Sequence, residues 1–206
     1  MTQRILVRVM LLLALCGCAS EPPKPQFLEA PNQVLAPPPA DKAQIVFLEP
    51  INSIQGLFPV GIFEVEGDNR TLLATTGAHS KVAVLFTPGK HILMANHSAG
   101  KAHFLEANVE AGKRYYVLLR FIYSQGFQLR PIRASGTSDY SVTNKDFAKW
   151  NSETRFVEKT ADSDAFFAEH KDMLIKSTAE GWKAWQEKTP QERADLTLNP
   201  QDAIAH

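Results

Sequence analysis

Three histidines are the residues best placed for metal chemistry. His91 and His97 are six positions apart on one apolar run, so on a strand both side chains share a face. His103 opens the next apolar run and would approach His97 across a hairpin. Imidazoles converging this way suit zinc or copper. No carboxylate falls at ligand spacing beside them. The expectation is therefore three surface histidines near a turn, with no metal and no cofactor assigned. Tyr115, Tyr116 and Tyr123 invite sugar stacking, but adjacent strand residues face opposite ways, so the first two cannot share a platform. No zinc-protease helix, nucleophile elbow, phosphate loop or dinucleotide-binding glycine motif occurs. Asn96-His97-Ser98-Ala99-Gly100 lacks the leading glycine of an elbow. A non-enzymatic chain is expected. A binding module for envelope polysaccharide or peptide is the alternative, and a hydrolase comes third.

The other reactive groups are two thiols. Both cysteines, Cys16 and Cys18, lie in the first eighteen residues, so the rest of the chain forms no disulfide. Arg4 and Arg8 precede an apolar run, Val9 to Leu15, and Gly17 is a small residue before Cys18. Basic, apolar and then small is the order of a secretory signal. The run is far short of the ~20 apolar residues of a membrane-spanning helix. Leu15-Cys16-Gly17-Cys18 resembles the lipobox of bacterial lipoproteins. The resemblance implies cleavage between Gly17 and Cys18, lipid on the Cys18 thiol and acylation of the new N-terminus. Cys16 fits less well, because Leu15 would then occupy the small-residue position. Each buried methylene of such a lipid contributes ~0.8 kcal/mol, so two or more chains anchor a protein effectively permanently. In Gram-negative lipoproteins aspartate after the cysteine retains the protein in the inner membrane. Ala19 instead implies the outer membrane, facing the periplasm, with the inner membrane as the alternative.

These residues need elements to position them. Residues 21 to 40 hold seven of the 13 prolines and read as an extended tether between the anchor and a folded body. From 41 to 135, short apolar runs alternate with turn residues. The expected strands are Ala43 to Leu48, Pro59 to Val65, Thr71 to Thr75, Lys81 to Thr87, His91 to Asn96, Ala102 to Val109, Arg114 to Tyr123 and Phe127 to Arg133. The spacing predicts a mainly β fold, an antiparallel β-sandwich of seven to eight short strands. Thr87-Pro88-Gly89-Lys90 suits a type II turn, and Glu110-Ala111-Gly112-Lys113 suits a hairpin with glycine in the left-handed region. The segments Pro88 to Leu93 and Glu110 to Val117 are similar to a small β-sandwich domain of bacterial lipoproteins whose function is unknown. More distantly they resemble prealbumin-like and carboxypeptidase-regulatory-like repeats. The resemblance spans about Asp41 to Arg133, implies a fold, and supplies no catalytic residues to carry over.

Residues 136 to 206 read as a mostly helical appendage. Phe167, Leu174 and Trp185 fall on one line of a helix expected from Ser163 to Lys188, with Trp182 flanking it. This stripe is expected to dock on the β-domain, and the same four residues are the candidates for binding an envelope protein. Thr189-Pro190-Gln191-Glu192 predicts a second, short helix. Between Ser141 and Lys159 the pattern fits either a helix or a strand from Thr154 to Val157. Lys+Arg and Asp+Glu both number 22, and removal of Arg4 and Arg8 leaves 20 basic against 22 acidic groups. Without a basic field, nucleic acid is not an expected partner.

Overall fold

A computed structural model describes residues 24–51, 58–97 and 100–205. Gly17, Cys18 and the expected signal segment lie outside the described residues. Among the described residues, no helix is long and apolar enough to cross a membrane.

The fold is mainly β, with two mixed sheets and a few helices. The first sheet holds β1 (Phe27–Glu29), β2 (Ala43–Glu49), β5 (Ser80–Phe86), β8 (Arg114–Ile122), β9 (Gly126–Pro131) and β10 (Arg155–Lys159), in the order β1-β10-β5-β2-β8-β9. The second holds β3 (Val60–Glu66), β4 (Asn69–Thr76), β6 (Gly89–Asn96), β7 (His103–Val109) and β11 (Thr197–Leu198), in the order β11-β7-β6-β3-β4. The eight expected strands all occur, with shifted ends. The all-antiparallel expectation is corrected, because β2–β8, β5–β10 and β7–β11 pair in parallel. β2 is buried without a break because it lies inside the sheet between β5 and β8 and has a core cluster on each face.

Alternation along the strands separates two kinds of apolar residue. Ile45, Phe47, Ile62, Leu93, Leu105, Val117 and Leu129 join one core cluster fed by both sheets. Phe63, Met94 and Phe104, one position out of phase, form a second cluster with helical residues. Val46, Leu48 and Leu118 form a third, covered by Leu35, Phe147 and Trp150. Each outer face therefore has its own cover.

Both expected turns have glycine at positive φ, 133° at Gly89 and 68° at Gly112, but the type II turn over 87–90 does not form, because Gly89 already opens β6. Neither closes a hairpin. Each carries the chain from one sheet to the other, β5 to β6 and β7 to β8. Tyr115 is fully buried at the second corner, where its hydroxyl accepts a bond from the Glu110 N–H at 3.0 Å.

The C-terminal region differs most from expectation. It contains α1 (Lys145–Glu153), α2 (Ala161–Glu169), α3 (Lys171–Gln186) and α4 (Pro190–Asp195), and it also supplies one strand to each sheet. The single helix expected over 163–188 is two helices. They break at His170, whose φ of −95° and ψ of 21° leave the helical region. The His170 ring lies 4.2 Å from that of Phe166, and Nδ1 bonds the Phe166 carbonyl at 2.8 Å. The capping box at Thr189 and Glu192 forms as its spacing predicts.

The described part of the proline-rich segment is not free. β1 pairs with β10, and Ala30 is buried. The side chain of Gln33 donates to the Ala30 and Phe156 carbonyls and accepts from the Phe156 N–H.

Candidate functional site

The helices that cover the second sheet do not close it completely. Phe167, Leu174 and Trp185 are buried against Phe63, Met94 and Phe104. Side chains of this size contribute about 1.5–3 kcal/mol each when buried. Phe167 and Phe63 meet edge to face at 5.1 Å. Gly61 makes room for them, since a Cβ there would lie 2.7 Å from the Phe167 ring. Three of the four sequence-chosen partner residues are thus occupied within the chain. Trp182 is not: it meets Phe104 edge-on at 5.1 Å and keeps 39% of its surface exposed.

A cleft with two lobes runs along α3, and Asp68 and Arg70 of the β3–β4 hairpin line both lobes. The first, about 700 Å³, has Phe63, Leu72, Phe167 and Leu174 as its floor and Asp68, Asp164 and Lys171 at its rim. The second, about 450 Å³, is lined by Val65, Ile92, Phe104 and Trp182. The Arg70 Nε donates to the Thr178 hydroxyl at 3.2 Å, and its Nη1 donates to the Asp68 carbonyl at 2.7 Å. Thr178 is oriented in turn by donating to the Leu174 carbonyl at 2.6 Å. A cationic side chain is therefore fixed beside two apolar hollows. Lys171, Leu174, Ile175, Thr178, Ala179 and Trp182 face this cleft from α3, a helical stripe of three- and four-residue steps. Hollows of about 700 and 450 Å³ have the volume of a small-molecule site, room for several side chains of a bound segment.

Arg70, Asp68, Asp164 and Ile175 were not singled out from the sequence. Only Gly181, a glycine inside a helical pattern, hinted at the close approach of α3 to the sheet.

The three histidines do not come together as one group, although His103 pairs with Ala95 and so lies diagonal to His97 across the hairpin. His91 bonds Glu64 Oε1 at 2.5 Å and the Thr87 carbonyl at 2.8 Å. His97 is about 20 Å further along the strand direction at ~3.3 Å per residue. It stacks edge-on against Phe127 at 5.5 Å. His103 bonds the Gln125 carbonyl at 3.1 Å. Burial holds both His97 and His103 below the ordinary histidine range. Among the described residues, no group of three or more potential ligands occurs.

One acid stands out elsewhere. Glu49 shares the inward parity of Ile45 and Phe47, is fully buried, and among the described residues neither carboxyl oxygen has a hydrogen-bond partner. The nearby Thr76 hydroxyl donates to the Val60 carbonyl instead, at 3.5 Å. Burial pushes the Glu49 carboxyl up to about 8, which Thr76 opposes only in part. Glu49 lies in the core between the sheets, whereas the cleft lies on the outer face of the second sheet.

Scanned against protein-family models and against curated proteins, the chain matches none.

Proposed function

We propose that this chain is a lipid-anchored envelope lipoprotein, non-enzymatic, whose sandwich-like body binds a segment of another envelope protein in the cleft along α3. The anchor rests on the order of charge, apolar run, Gly17 and Cys18. The binding role rests on one observation above all. After α2 and α3 have covered the second sheet, Ile175 and Trp182 remain 43% and 39% exposed on the cleft-facing stripe. Exposed apolar residues grouped around a fixed arginine are the usual makings of a protein contact. A peptide would set apolar side chains in the two lobes and a carbonyl or carboxylate against Arg70.

A second reading, recognition of envelope polysaccharide, is favoured by the exposed Trp182 ring beside Asp68 and Arg70. Sugars use a stacking surface flanked by hydrogen-bonding groups.

The test is a photo-crosslinking amino acid at Ile175 in cells. A discrete protein adduct that disappears with Arg70→Ala supports the first reading, and an adduct to glycan strands supports the second. Adducts no different from those at exposed Tyr123 contradict both.

A further inference from the structure

The proline-rich segment becomes part of the body at Pro25. The Pro25 carbonyl accepts from the Thr160 hydroxyl at 2.7 Å, and the Gln26 carbonyl accepts from the Thr160 N–H at 3.0 Å. β1 then pairs with β10, and further on the Ala36 carbonyl accepts from Arg114 at 2.6 Å. Only residues 19 to 24 separate Cys18 from this fixed point. Seven Cα steps of at most ~3.6 Å reach about 25 Å.

We propose that the surface around the start of α2 is the membrane-facing surface, held within about 25 Å of the lipid headgroups by this short leash. The proposal rests on Cys18 carrying the lipid. Basic residues at this surface are engaged by acids: Lys24 by Asp162 at 3.7 Å, Lys159 by Asp164 at 2.5 Å, and Arg155 by Glu29 at 2.8 Å. Proximity is therefore set by chain length and not by attraction to anionic lipid. Phe167, at the floor of the cleft, is six helical residues beyond Ala161, about 9 Å at 1.5 Å per residue. The start of the cleft floor then lies within roughly 35 Å of the headgroups.

The strands provide the ruler for a test. β10 runs antiparallel to β8, so its exit at Lys159 lies toward the start of β8, and Tyr123 lies beyond the other end. Eight steps along β8 at ~3.3 Å give about 26 Å. The lipidated protein carrying Ala161→Cys or Tyr123→Cys would be labelled with a fluorophore at its one free thiol. It would then be reconstituted in phosphatidylcholine vesicles that contain a headgroup-linked quencher. Position 161 should be quenched at least about twofold more than position 123, equally with or without anionic lipid. Inserting about 20 Gly/Ser residues between Ser20 and Glu21 should remove the difference. Equal quenching at native leash length, in protein that floats with the vesicles, overturns the leash and leaves the anchor standing. Protein that neither floats nor carries palmitate overturns both.

Discussion

Gly181 of α3 crosses Ala102 so closely that a methyl group on it would lie 2.2 Å from the Ala102 carbonyl oxygen. That contact sets the distance between α3 and the second sheet, and with it the width of the cleft. Gly181→Ala gains ~1 kcal/mol of helix propensity but forces backbone against backbone, and overpacking costs ~1–3 kcal/mol. The expected outcome is a net loss of up to about 2 kcal/mol in denaturant unfolding. A gain in stability would show that α3 is not held by this approach.

Trp182 and Trp185 are neighbours on α3 with different tasks. Trp185 is 6% exposed and sits in the cluster under the helix. Trp185→Ala should cost about 3–5 kcal/mol. Trp182→Ala should cost about 1 kcal/mol and remove partner crosslinking. Equal stability losses for the two would assign Trp182 to packing alone.

Glu49 makes stability depend on pH. Its carboxyl titrates near 4.5 in the unfolded chain and at about 8 in the fold. The folded state therefore favours the protonated form. That advantage is complete below about 4.5 and is lost as pH rises through 8, by at most ~1.4 kcal/mol per unit. Between about pH 5 and about pH 9 the native protein should lose at least ~2 kcal/mol more than Glu49→Gln. Parallel pH profiles from urea unfolding would contradict this.

Arg133 secures the C-terminal strand. It donates to the Thr197 carbonyl at 2.7 Å, to buried Asp202 at 2.6 Å and to the Ala194 carbonyl at 2.9 Å. Arg133 is only part-buried and Asp202 keeps the Asn199 N–H, so the loss of this charge-assisted bond costs ~1.5–3 kcal/mol. Arg133→Ala should release β11, seen as lost hydrogen-exchange protection at Thr197 and Leu198. Retained protection there would refute the anchoring role.

Much of this architecture is written in local pattern. Val82, Val84 and Phe86 mark a strand by alternation alone, and Thr189-Pro190-Gln191-Glu192 marks a helix start by its hydrogen-bonding groups. What local pattern does not contain is which strand pairs with which. The parallel joining of Ile45 to Tyr115 spans seventy residues, and nothing near either residue encodes it. The docking of Phe27 to Lys159 escaped for the same reason, since prolines on both sides read as an unpaired spacer. The break at His170 is a change of one residue's backbone angles, which a continuous apolar periodicity on both sides does not mark. The cleft was half legible: its floor follows from the apolar stripe, but Arg70 enters from a distant hairpin.

The anchor underlies both the binding role and the short leash, and labelled palmitate tests it most directly. Cells producing the native chain should incorporate the label and hold the protein in the detergent-dependent membrane fraction. Cys16→Ser should behave the same, while Cys18→Ser should lose both the label and the membrane association. A Cys18→Ser protein that stays membrane-bound, or a native protein that takes up no palmitate, would contradict the account.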